Sequence, residues 1–125
     1  MNKTPEIGYG EAPDMTVYQR KQSDRLLVYV QDDWNDSLII YNTIRQYHED
    51  KYIDFVIIHD HNNFVEKVCK AYFISCIDYS DNPFDEILNN AKPTKAILFY
   101  RDSDTVVNYL WHLLDKNHIP FRIFR

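Results

Sequence analysis

Apolar residues in this chain gather in five short runs, and between the runs they return every third or fourth position. "RLLVYV" (25–30), "IDFVIIH" (53–59) and "KAILFY" (95–100) are nearly unbroken, as strands covered on both faces must be. "FISCID" (73–78) reads as a weaker third strand. "IPFRIF" (119–124) reads as a last one, placed at a sheet edge where the missing N–H of Pro120 does least harm. The intervening segments have helical spacing. Asp36 predicts an N-cap for a helix to about His48, with Leu38, Ile39, Ile40, Tyr41, Ile44 and Tyr47 on its buried side. Asn62 or Asn63 caps a second, carrying Phe64, Val65, Val68, Cys69 and Tyr72 at helical intervals. Asn82 caps a third, with Pro83 at its first helical position and Phe84, Ile87 and Leu88 inward. Ser103 or Asp104 caps the last, whose Val106, Val107, Leu110, Trp111, Leu113 and Leu114 form the broadest apolar face.

Strands separated by single helices through short connections predict an α/β fold. The expected form is a Rossmann-like three-layer sandwich, a five-stranded, mostly parallel sheet with helices on both faces. Residues 25–125 make up this domain. Residues 1–24 differ: they hold Pro5, Pro13 and both glycines of the protein, Gly8 and Gly10, and few aliphatic side chains. They predict an extended N-terminal arm, with Tyr9 and Tyr18 available for burial against a neighbour.

A length of 125 residues suffices for one core without metal or disulfide support. No apolar run approaches the roughly 18 residues of a membrane span, and the first fifteen residues lack the apolar centre of a signal peptide. A cytoplasmic protein with no membrane partner is expected. The net charge of -5 and the scatter of fourteen Lys and Arg argue against nucleic acid. Cys69 and Cys76 sit among apolar neighbours and read as buried, reduced thiols.

In parallel sheets of this kind, ligands bind beyond the carboxyl ends of the strands, near the point where strand order reverses. "QDDWND" (31–36), "HDHNN" (59–63), "DYSDN" (78–82) and "RDSDT" (101–105) occupy those ends. Carboxylates dominate there, and Arg101 is the only cation. Phosphate sites need bare backbone N–H groups approached closely, which glycine permits, yet residues 11–125 contain no glycine. A phosphate among carboxylates also costs about 1 kcal/mol per close pair even at a wet surface. A divalent metal would invert the sign, with Asp32, Asp33 and Asp78 as its ligands, or His59 and His61 beside carboxylates. The simpler reading of Asp36, Asn62, Asn82 and Asp104 is helix capping. Neither histidine has further zinc ligands at a telling spacing, and no serine or cysteine lies in a nucleophile motif.

Aligned by these loops, residues 25–124 resemble the SLOG superfamily, in its YspA-type branch. That family's first strand enters a Gly-Gly-Arg-Asp-Phe-x-Asp loop; "VQDDWND" (30–36) keeps Asp33, an aromatic at Trp34 and Asp36, with Val30 and Gln31 at the glycine positions. Its second strand ends in His-Gly-Gly-Ala-x-Gly-Ala-Asp. Here "HDHNNFVE" (59–66) keeps His59, has Glu66 for the final acid, and places Asp60, His61 and Phe64 at the glycines. Its Gly-Gly-x-Gly-Thr loop corresponds to "RDSDT", where Thr105 remains. The resemblance implies a Rossmann-like domain of a family thought to bind nucleotide-derived ligands, with Asp33, Trp34, His59 and Thr105 at its motif positions; His61, Asn62, Arg101 and Asp104 lie in the same strand-end loops and complete the candidate cleft. Three glycine loops replaced together imply a degenerate scaffold kept for its surface.

The first expectation is therefore a non-enzymatic binding protein without cofactors, acting through a protein partner or a homo-oligomer. Its tyrosines suit contact surfaces. A composition rich in Asn, Ile, Lys, Tyr and Asp suits a phage-like or mobile-element accessory protein that binds a host protein. A binder of a nucleotide-derived small molecule is the alternative, and a Mg-dependent acidic site or receiver-like domain a further one.

Overall fold

Each predicted run becomes an element in the computed structural model, which describes residues 23–59, 63–79 and 81–125. The strands are β1 (Asp24–Val30), β2 (Ile53–His59), β3 (Cys76–Asp78), β4 (Lys95–Phe99) and β5 (Phe121–Phe124). The helices are α1 (Ser37–Lys51), α2 (Phe64–Ala71), α3 (Phe84–Ala91) and α4 (Thr105–Lys116). All strand pairs are parallel, in the order β3-β2-β1-β4-β5. That is a Rossmann-like α/β sandwich. It differs from the 2-1-3-4-5 order of receiver-type sheets.

Alternation along each strand explains the unbroken apolar runs. Leu26, Val28 and Val30 of β1 enter one core with Ile97 and Phe99 of β4, under α1 and α2. Leu27 and Tyr29 enter the other with Ala96, Leu98 and Tyr100, under α3 and α4. The register of β4 with β5 pairs Ile97 with Arg122 and Phe99 with Phe124. Arg122 and Phe124 therefore share the α1 face, and Phe121 and Ile123 the α4 face.

Two caps form as expected: Asp36 accepts from Ile39 N at 3.2 Å, and Asp104 Oδ1 from Val107 N at 2.8 Å. The other two do not. Asn63 has φ 62 and makes no capping bond, since a capping side chain needs an extended backbone beneath it. Pro83 itself is the extended N-cap of α3, one residue ahead of its expected place, and the Asn82 amide reaches Glu86 instead. The Asn62 cap, and all of residues 1–22, lie outside the described residues. The first strand begins one residue earlier than expected, because Asp24 belongs to β1. Its carboxylate is held by the hydroxyls of Tyr47 at 2.6 Å and Thr94 at 3.0 Å.

The third strand is shorter than its apolar run. Phe73 has φ 57 and is 96% exposed, and Ile74 N bonds back to Cys69 O at 2.9 Å. This is a helix-ending turn whose left-handed position glycine usually fills. His118 does the same after α4, with Ile119 N bonded to Leu114 O. Where glycine is missing, a phenylalanine that reads as strand marks a helix stop.

Three predicted core positions face solvent. Leu38 is 66% exposed, and Val106 and Trp111 are each 43% exposed. An apolar run of two or three residues on a helix spills beyond the arc that its core can cover. Cys69 is buried but Cys76 only half-buried, and neither is in a disulfide. Among the described residues, no helix is long and apolar enough to cross a membrane.

Candidate functional site

Strand order reverses between β1 and β4, so the fold places its ligand crevice where residues 31–36 diverge from 100–104. Gln31 closes that place. Its backbone N–H donates to Phe99 O at 2.9 Å, and its side chain is buried, 8% exposed. The Gln31 Nε2 group donates to Asp102 O at 2.8 Å and to Asp104 Oδ2 at 3.1 Å, while Oε1 accepts from Arg101 N at 3.0 Å. One amide thus ties the end of β1 to the loop that opens α4.

Trp34 fills the space beside it. The indole is 3% exposed and lies edge-on to Phe99, ring centroids 5.6 Å apart. Its Nε1 donates to Asp36 O at 2.9 Å. Arg101 covers the ring, its guanidinium 5.2 Å from the centroid, and donates to Asn35 Oδ1 at 3.0 Å. Trp34, one of the expected cleft residues, packs into the protein's own core.

Tyr29 and His59, paired in register across β1 and β2, occupy the far side. The His59 ring lies 5.8 Å from Tyr29 and 4.5 Å from Phe84. Burial pushes the Tyr29 hydroxyl up to about 12, and the carboxylates of Asp104, Asp32 and Asp33 push the same way. The tyrosine registers an acidic field at this sheet end, and a phosphate would meet the same field.

Of the predicted cleft residues, Trp34, Arg101 and Asp104 are brought together, joined through Gln31. Asp33 and Thr105 are exposed at the margin, and His59 belongs to an aromatic cluster. His61 and Asn62 lie outside the described residues. The predicted metal ligands are not gathered: Asp32 and Asp33 follow β1, whereas Asp78 ends β3 with β2 between them. Among the described residues, no group of three His, Cys, Asp or Glu could hold a metal.

A second concavity lies at the other end and flank of the sheet. A groove of about 690 Å³ runs between α1 and the β4–β5 face, its walls including Arg45, Tyr47, Lys51, Lys95, Arg122 and Phe124. Phe124 stacks on Phe99 at 5.1 Å, and the Arg122 guanidinium lies 5.0 Å from the Phe124 ring centre. Burial and the hydrogen bond to Asp24 raise the Tyr47 hydroxyl well above its usual range, while the Arg122 charge pulls it down. On the opposite face of β5, half-exposed Trp111 meets Phe121 edge-on at 5.3 Å.

Sequence reasoning missed both Gln31 as a plug and this groove. A signal existed for each: a polar amide ending an otherwise apolar strand, and an arginine alternating with aromatics in an edge strand. No family model, curated protein or solved structure matches this chain.

Proposed function

We propose that this chain is a cytoplasmic, non-enzymatic binding protein that acts by protein–protein contact on a degenerate SLOG-like scaffold. The observation that carries the reading is the Gln31 side chain. It occupies a glycine position of the resembled loop and makes three hydrogen bonds across the crevice that a nucleotide would enter. Trp34 and Arg101 pack beside it, and the surrounding carboxylates repel phosphate. Apolar side chains are instead presented outward, among them Phe73, Leu38, Trp111 and Tyr109. Exposed aromatic side chains supply contact area with little rotamer entropy to lose.

Two measurements on the full chain test this. Titration calorimetry with nucleoside mono-, di- and triphosphates and dinucleotides is expected to give no saturable heat. Affinity capture from the native lysate, with size-exclusion of the purified chain, is expected to reveal a stoichiometric partner or self-association. Saturable nucleotide heat that disappears in Arg101→Ala would overturn the reading in favour of a small-molecule binder. So would the absence of any partner and of self-association.

A further inference from the structure

The β5 flank combines an open strand edge, an uncovered sheet face and a local charge opposite to that of the whole chain. The carbonyls of Pro120 and Phe124 accept from Ala96 N and Tyr100 N of the β4 side, at 3.0 Å each. By strand alternation, Phe121 and Ile123 turn their N–H and C=O groups to the outer edge. Among the described residues no strand pairs with that edge. The groove beside it bears Arg45, Lys51, Lys95 and Arg122 against a single lining acid, Asp50, in a protein of net charge -5. Among the described residues, Arg45 is the one of these four seen in an ion pair, with Glu49 at 3.2 Å.

We propose that β5 and this groove receive an extended, acidic segment of a partner protein as a sixth strand. The proposal rests on the protein-binding reading given above and names the surface and the chemistry of the partner. Backbone pairing along an open edge supplies affinity, and alternate side chains of the added strand supply specificity. The two faces at β5 differ, so they select an alternating sequence. On one side Arg122, Lys95 and the ring of Phe124 face the groove and favour Glu or Asp. On the other, Trp111 and Phe121 favour an apolar residue. A second copy of this chain is a poor occupant. Antiparallel pairing of β5 with itself would bring one Arg122 near the other, and like charges across a strand pair are destabilising.

The test uses the full chain and a fluorescein-labelled eight-residue peptide of alternating Glu and Val, followed by anisotropy. Saturable binding is expected, weakening with salt. The affinity should fall at least tenfold in Arg122→Glu and separately in Lys95→Glu, each checked for native circular dichroism. A Lys-Val peptide of the same length should not bind, and N-methylation of alternate peptide nitrogens should abolish binding. The proposal is overturned by equal binding of the two peptides, by unchanged affinity in both variants, by full affinity of the N-methylated peptide, or by no binding at all. A benzophenone at position 43, on the groove wall, that cross-links to residues 1–22 of its own chain, uncompeted by peptide, also overturns it. If a natural partner is captured equally by wild type and Arg122→Glu, the groove assignment fails while the protein-binding reading stands. If neither captures a partner nor self-associates, the underlying reading fails as well.

Discussion

The crevice between β1 and β4 and the groove beside β5 differ in what fills them and in the sign of their charge. Topology builds the first at the point where strand order reverses, and three side chains close it: Gln31 by hydrogen bonds, Trp34 by packing and Arg101 by stacking. The second exists because α1 and α2 cover β1, β2 and part of β4 but leave the β5 end of the same face open. Two tyrosines register the two fields. Asp104, Asp32 and Asp33 raise the Tyr29 hydroxyl after burial has done so, whereas at Tyr47 the Arg122 charge opposes the effects of burial and Asp24. The difference teaches that a fold supplies a concavity but not a site. A switch-point crevice admits phosphate only where small residues line it, and here every lining position carries a side chain.

The largest effect is expected at Trp34. Truncation to alanine removes a buried aromatic from the α1-side core and should cost about 3–5 kcal/mol in urea unfolding. A loss below 1 kcal/mol would mean that the indole is a ligand platform rather than a plug. Gln31→Leu comes next. It removes the side-chain bonds to Arg101 N, Asp102 O and Asp104 Oδ2; because Arg101 and Asp102 are exposed, water replaces part of them, and a loss of about 1–2 kcal/mol is expected. Gln31→Gly should be destabilised to a similar degree and should still bind no nucleotide, because Trp34 and the carboxylates remain.

Alkaline titration separates the regions further. Tyr29 stays neutral in the folded chain up to about pH 12, whereas it ionises near 10 when unfolded. Its contribution to stability is whole below pH 10 and falls as pH rises, at about 1.4 kcal/mol per pH unit, until the folded-state hydroxyl ionises. The unfolding midpoint of Tyr29→Phe should therefore decline less steeply between pH 10 and 12, and an identical slope would mean that neither burial nor the nearby carboxylates raise this hydroxyl in the folded chain. The smallest effect on stability is expected at the groove. Arg122→Glu and Lys95→Glu should change folding stability by no more than about 0.5 kcal/mol while weakening peptide binding. A change above 1 kcal/mol would assign these residues to the fold instead of a docking surface.

Much of the architecture was legible along the chain. The second strand spans 53–59 as its apolar run predicts, and Asp36 and Asp104 cap the helices that they precede. The errors have two causes. Phe73, Asn63 and His118 adopt positive φ in a stretch without glycine, so the usual punctuation of helix ends is missing. Leu38, Val106 and Trp111 were assigned inward because apolar character alone does not say how wide a core is. The candidate site was legible only as a set of residue types. Trp34, Arg101 and Asp104 stand at one sheet end, where Arg101 lies over the indole and Gln31 bonds to the 101–104 loop, contacts that no spacing along the chain announces.

Periodicity and capping are local properties, carried by residues within a turn or two of each other, and they determined the class and order of the elements without any tertiary contact. Which strand lies beside which is not local. Placing β4 against β1 brings Gln31 within hydrogen-bond reach of residues 101–104, some seventy positions along the chain. It also leaves β5 at an edge, its basic and aromatic face beside α1. Such pairings are selected by the packing of whole faces, a balance that no short window of sequence contains. The tertiary structure therefore decided that Gln31, Trp34 and Arg101 meet across the expected crevice and that an open groove lies beside β5.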